Sequence, residues 1–297
     1  MTPNIELAKT RDFGEIISDS FLFIRENFKQ LLSCFFIFCG IFLLAGVVSS
    51  IMLQLKLTEV LTNFTQNNFD GTTSVWTGAY IFDTIFSAII AVAGYITLSI
   101  TIISFMALYK QKGNIAPTNE ELWGYIKYYF LKILGVSILN YVLLIIAFIL
   151  CVLPGIYLTP ILGLMFPIII VENAGFGYAW DQSFRLIKEN WWKVFGALFI
   201  TQLILGICSG IVNLPFQLTS VWSVFLHKIP NLHLSIFSVI MGAILKELSM
   251  VLYILPLVTL GICYFSLTEA KDATGLMGRI DQLGKNDADA NTPAEEY

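Results

Sequence analysis

Two acids stand where chemistry would be most consequential. Asp83 closes "GAYIFD" and Glu247 closes "GAILKE", each at or inside a long apolar stretch, with Lys246 beside the second. A carboxylate in such surroundings could transfer a proton as general acid or base. It could also couple an ion to transport, or, as a pair, help cleave a lipid bond. Pro160 and Pro167 offer a second opening, because they interrupt "GIYLTPILGLMFPIIIVE". Carbonyls freed by a proline-broken membrane helix can become ligands for a substrate.

Other chemistry has little to work with. His227 and His233 are the only histidines, too few for a multi-histidine metal site. Cys34, Cys39, Cys151, Cys208 and Cys263 all fall in apolar runs without CxxC spacing. They read as small buried side chains, neither disulfides nor metal ligands. The patterns HExxH, GxSxG, the Walker loop and GxGxxG are absent. The chain is expected to be no enzyme and to carry no cofactor.

The elements that must position these residues follow from composition. Hydrophobic residues make up 57% of the chain, charged ones 13%, and mean hydropathy is +0.76. A soluble domain carries about 25% charged residues. Apolar runs cover Leu31–Leu53, Ala79–Leu108, Ile133–Leu153, Ile156–Val171, Val194–Leu214 and Ser235–Leu267. Stretches of about 18 or more apolar residues read as membrane-spanning helices, and none alternates as a barrel strand would. The fold class is therefore all-α: a polytopic membrane protein of about six transmembrane helices. Pro154-Gly155 is expected to turn the third into the fourth.

Basic residues orient the layout. Fourteen of them (Lys9, Arg11, Arg25, Lys29, Lys110, Lys112, Lys127, Lys132, Arg185, Lys188, Lys193, Lys271, Arg279, Lys285) fall on one side. Lys56 and Lys228 fall on the other. The positive-inside rule puts both termini in the cytoplasm of a cell membrane, a bacterial cytoplasmic membrane on this reading. Segments Gln54–Gly78 and Pro215–Leu234 then form outer loops. The acids of Glu6–Asp19 and the length of the first run argue against a cleaved signal. Residues 272–297, polar and acidic, are expected to lack fixed structure. No basic block suggests nucleic acid, and the net charge is −4.

One mixed-charge segment is written twice. "SFLFIRENF" from Ser20 and "SFRLIKENWW" from Ser183 match in one register, with Phe13-Gly14 and Phe176-Gly177 upstream. On a helix, Phe13, Ile16, Ile17, Phe21, Ile24 and Phe28 oppose Asp12, Glu15, Asp19, Glu26 and Lys29. The copy does likewise. Such a helix lies in the headgroup plane. Asn27 and Asn190 are expected to close it in the left-handed conformation. Arg25 or Lys188 then meets the dipole, and Phe28 or Trp191 the interface. Each copy reads as an elbow into a spanning helix, and "NEELWGYIKYYFLKIL" as a weaker third.

One membrane domain over residues 1–271 results. It holds a parallel repeat (about 12–109 and 176–267) around a middle hairpin (about 118–171). Asp83 and Glu247 occupy corresponding places. The last run is 33 residues, about 50 Å at 1.5 Å per residue against a core of about 30 Å. Lys246 and Glu247 should therefore reach the outer interface, and Asp83 likewise.

The stretch "LPGIYLTPILGLMFPIIIVENAGFGYAWDQSFRLIKENWWKVFG" resembles the membrane domain of some bacterial glycerophosphodiester phosphodiesterases and related YciC-type proteins. The matching residues are Leu153-Pro154-Gly155, Glu172, Ala179, Ser183, Leu186, Lys188 and Trp191-Trp192. The resemblance implies a multi-helix membrane module. It transfers no catalytic residues, because no polar stretch here could hold the phosphodiesterase domain. The expected role is non-enzymatic, through the lipid bilayer or membrane protein partners. The alternatives are a permease built on the fourth helix and, more remotely, an intramembrane lipid-modifying enzyme.

Overall fold

A computed structural model describes residues 5–66, 78–225 and 236–272. His227, His233, Lys228, Arg279, Lys285, the tail beyond residue 272 and parts of both outer loops lie outside the described residues. The elements are α1 (Phe13–Gln66), α2 (Gly78–Gln111), α3 (Asn119–Leu150), α4 (Val152–Val171) and α5 (Phe176–Ile187). They continue with α6 (Trp191–Phe225), α7 (Ile236–Leu248), a 3-10 segment (Ser249–Tyr253) and α8 (Ile254–Asp272). Among the described residues every element is helical. Six stretches are long and apolar enough to cross a membrane: Phe13–Gln54, Ile81–Gln111, Asn119–Leu150, Val152–Val171, Trp191–Leu214 and Val239–Lys271. The chain is a multi-pass, all-α membrane protein.

The core is built on α2 and α8. Every residue from Ile96 to Tyr109 is buried, as is every residue from Leu257 to Leu267. The two helices run side by side in the same direction. Tyr95 meets Tyr253 at 5.8 Å between ring centroids, and Lys110 caps the Phe265 ring at 5.0 Å. Gly94 lies against Met250 and Gly261 against Met106. Three buried hydroxyls of α2 fold back on their own helix, with Thr97, Ser99 and Thr101 donating to carbonyls four residues earlier, whereas Ser104 is buried without a partner among the described residues. Folding back is how a polar side chain survives where no water can satisfy it. Helices α3 and α6 sit outside this core, with Ile145, Ile146, Phe199 and Ile207 exposed as a lipid-facing surface demands.

The breaks fall where backbone chemistry puts them, and several differ from expectation. Pro154-Gly155 does not make the turn between α3 and α4. The break is at Cys151, which is extended (φ −170°, ψ 151°), and Pro154 sits in the first turn of α4. There its missing N–H is no loss, because first-turn amides have no intrahelical partner. The last run is likewise divided, at Ser249–Tyr253, with Pro256 in the first turn of α8. Helix α1 runs on to Gln66 and α6 to Phe225, so both predicted outer loops are shorter than their apolar boundaries implied. Cys34, Cys39 and Cys263 are buried as expected, whereas Cys151 and Cys208 are exposed. Both stand on outer surfaces, where an apolar run alone does not ensure protein contact.

The two elbows part company. The second copy is divided where an elbow was expected: α5 ends at Ile187 and α6 starts at Trp191. The first copy is not. α1 passes through Asn27 as one 54-residue helix, and the weaker third segment is likewise continuous within α3. Neither asparagine adopts the left-handed conformation. Among the described residues Asn114 (φ 70°) and Asn173 (φ 50°) do, next to the ends of α2 and α4. Asn27 is buried, with its amide donating to the Phe23 carbonyl at 3.1 Å. The Asn190 carbonyl instead accepts the Val194 amide at 3.1 Å and so opens α6.

Candidate functional site

At the end of the bundle far from the fourteen clustered basic residues, α1 presents Gly46, Ser50 and Lys56 to the helices that follow it. Asp83, in the second turn of α2, makes an ion pair with Lys56. Glu247, near the end of α7, accepts a hydrogen bond from the Ser50 hydroxyl at 2.8 Å. Lys246 donates to the same hydroxyl at 3.1 Å and lies 3.7 Å from the Glu247 carboxylate. Glycine at position 46 is what lets Glu247 in, since a Cβ there would stand 2.5 Å from its Oε2.

The two acids therefore meet α1 and not each other. Ser50 and Lys56 are six residues apart, about 9 Å along the helix at 1.5 Å per residue. Asp83 and Glu247 acquire different partners because only the first of the two similar segments carries a base at the Lys56 position. The residue matching Lys56 in the second copy is Thr219. Asp83 finds its cation on the helix before it, while Glu247 turns to α1 and to its neighbour Lys246. Both carboxylates are largely withdrawn from solvent, with side chains 18% exposed. Pairing and hydrogen bonding are what offset withdrawing a carboxylate from water.

Pro160 and Pro167 do not break α4, which is helical from Val152 to Val171 with both prolines buried. Each removes one helix bond, at the carbonyls of Ile156 and Gly163. Packing holds the helix through them. The Asn140 amide of α3 donates to the Leu162 carbonyl at 3.3 Å, and the Thr159 hydroxyl to Gly155 at 2.8 Å. The groove lined by Tyr141, Leu144, Ile145, Phe148 and Ile149 lies on one face of α3 and contains neither acid. No group of three or more His, Cys, Asp or Glu gathers as a metal site among the described residues.

The elbow residues pack more than they cap. Ser20 and Ser183 are fully buried, and each hydroxyl donates to the carbonyl four residues back at 2.6 Å. Ser20 also accepts from the Thr259 hydroxyl of α8 at 3.0 Å. Trp191 stacks on Tyr157, and its indole N–H donates to the Tyr157 carbonyl at 3.1 Å. Arg25, Phe28 and Lys188 are exposed.

Sequence reasoning passed over the most heavily bonded side chain at the basic end. Arg11 is 2% exposed. Its guanidinium pairs with Asp19 at 2.7 Å and donates to the carbonyls of Glu6, Leu7 and Lys9. Its backbone amide donates to Ser266 at 2.9 Å, and Lys193 donates to its carbonyl at 3.2 Å. Ile5 and Leu7 are buried beneath this clasp. The alternation of apolar and polar residues in "IELAK" was the available signal. A second tie joins Tyr264 of α8 to Glu172 at 2.7 Å and Tyr129 of α3 to Asn173 at 3.1 Å.

No protein-family model, no curated protein and no solved structure matches the chain.

Proposed function

We propose that the chain is a non-catalytic membrane module, of the kind its resemblance to the phosphodiesterase-associated membrane domains suggests, acting through lipid or protein partners. One observation supports this best. The two acids with the best claim to chemistry are spent on holding α1: Asp83 on Lys56, Glu247 on Ser50 and Lys246. A proton or ion relay needs such groups to face a pathway. The continuity of α4 through both prolines supports the same reading over a permease, which would need opened backbone for its substrate. On this proposal the basic end is cytoplasmic, and the Asp83 and Glu247 end faces outward.

The test is reconstitution of the full chain in liposomes loaded with a panel of small ions and solutes. The expected result is no protein-dependent flux, together with an unchanged crosslinked complex from native membranes when Asp83→Asn or Glu247→Gln is introduced. Flux that those substitutions abolish would overturn the proposal in favour of transport.

A further inference from the structure

The acids and bases of α1 ahead of its apolar run meet different fates. Glu15 pairs with Lys9 at 3.0 Å, and Asp19 with Arg11 at 2.7 Å. Glu26 accepts the Ile5 amide at 3.4 Å. All three acids are thus engaged by the N-terminal segment. Arg25 and Lys29 are exposed and enter no ion pair among the described residues.

Helical spacing settles what stands beside them. Phe21, Arg25 and Phe28 follow i, i+4, i+7 and share a stripe, with Lys29 along its edge. Phe21 is 46% and Phe28 55% exposed, while Ile16, Ser20, Phe23, Asn27 and Leu31 behind them are buried. The apolar run begins at Leu31, so Lys29 and Arg25 lie about 3 and 9 Å before it along the axis. Headgroups occupy about 5–7 Å on each side of the hydrocarbon core, and long basic side chains reach across such distances.

We propose that this stripe of α1 binds an anionic phospholipid of the surrounding bilayer. Arg25 and Lys29 hold the phosphate, the acyl chains run past Phe28 toward the apolar run, and Phe21 flanks the headgroup on its aqueous side. The inference deepens the proposed function by naming a lipid class, and it rests on that reading's placement of the basic end of the bundle on the cytoplasmic side of the bilayer. Charge complementarity selects the ligand: two cations whose neighbouring acids face elsewhere require anionic oxygen. The Phe28 ring, about 5 Å before the apolar run, favours oxygen attached to hydrocarbon, since an acidic peptide would leave that ring against water. The second copy brackets Lys188 with Phe184 and Trp191 at the same offsets, but the break after Ile187 sends Trp191 to Tyr157. The site therefore belongs to α1.

Native mass spectrometry of the full purified chain tests it, with phosphatidylglycerol and phosphatidylcholine of matched acyl chains as probes. The expected result is a preference for phosphatidylglycerol that Arg25→Gln with Lys29→Gln lowers about 30-fold, or about 5-fold per cation. Arg25→Lys with Lys29→Arg keeps the preference, as does Lys127→Gln with Lys132→Gln. Three results overturn the proposal: no preference in the unaltered chain, an undiminished preference in the glutamine pair, or an equal loss in the Lys127 and Lys132 variant. A photo-crosslinker at Phe28 that captures protein and no lipid in native membranes does so too. None of these outcomes bears on solute flux, so failure here is distinguishable from failure of the proposed function.

Discussion

Replacing Arg11 by Ala should release the N-terminal segment while leaving the bundle folded. Removing one partner of a buried ion pair costs about 3–5 kcal/mol when the other charge stays buried. Asp19 keeps 23% of its side chain exposed, so water takes over part of its solvation and the loss falls toward about 1–2 kcal/mol. The carbonyls of Glu6, Leu7 and Lys9 also lose their donor. One carbonyl left buried without a partner costs about 1–3 kcal/mol. The sum is about 3 kcal/mol, and it falls on Ile5–Asp12, which is otherwise tied to the bundle by single hydrogen bonds to Ser266, Lys193 and Glu26. Such a change raises the open population about 150-fold.

A cysteine at Leu7, 2% exposed, in a chain otherwise stripped of cysteine, reports opening by its rate of maleimide labelling. When closing is fast relative to labelling, that rate follows the open fraction. Arg11→Ala should accelerate it about 100-fold or more, with little change in the unfolding temperature. Equal labelling with and without Arg11 refutes the clasp. Loss of the whole fold refutes its locality.

Other changes report on other contacts. Gly46→Ala should destabilise by about 1–3 kcal/mol, because its Cβ would meet Glu247. Glu247→Ala should largely relieve that loss in a double-mutant cycle read by thermal unfolding. Asp83→Asn should cost about 1 kcal/mol or less, since its partner Lys56 is 41% exposed. Thr259→Val should cost about 0.5–1.5 kcal/mol by removing the hydroxyl that Ser20 accepts from. Asn27→Pro should kink α1 and cost about 3 kcal/mol, a loss to be measured against Asn190→Ala in the same assay.

Spans were legible in the sequence because hydrophobicity in lipid is decided residue by residue. Leu31–Leu53 needs no knowledge of its neighbours to be apolar. Boundaries were less so. Pro154 looked like a turn because proline ends helices, yet at the third position of α4 it begins one, and only the extended Cys151 backbone distinguishes the cases. The left-handed asparagine cap was the right chemistry at the wrong residues. Asn114 and Asn173 have it because their chains leave α2 and α4 there, and composition does not mark where a chain must leave. The far-end acids were found by type, and their partners were not. Lys56 and Ser50 become partners only when α1 is laid beside α2 and α7. Arg11 reads from sequence as one charge among fourteen, because its burial together with Ile5 and Leu7 is a tertiary fact.

The repeated segment shows most directly what sequence leaves open. Copy one and copy two share Ser, Phe, Ile, Glu and Asn in one register, yet one is a continuous helix and the other is cut. Local propensity cannot separate them, so the cause lies in what each meets. In α1, Phe23 packs edge-on against Phe105 and Tyr109, and the Asn27 amide is taken by the Phe23 carbonyl. The helix thus stays supported before the asparagine by Phe23 and after it by the buried Leu31. In the second copy a continuous helix would point Trp191 outward, as Phe28 points in the first. Breaking at Lys188–Asn190 instead lets Trp191 stack on Tyr157 and donate to its carbonyl. An indole with a satisfied N–H and a stacked face offsets the few helix bonds lost, and the Asn190 carbonyl recovers one by starting α6. The same residues thus make a surface stripe on α1 and an anchored corner before α6. Only the stripe keeps its cations and rings together, which is why the lipid site is assigned to one copy alone.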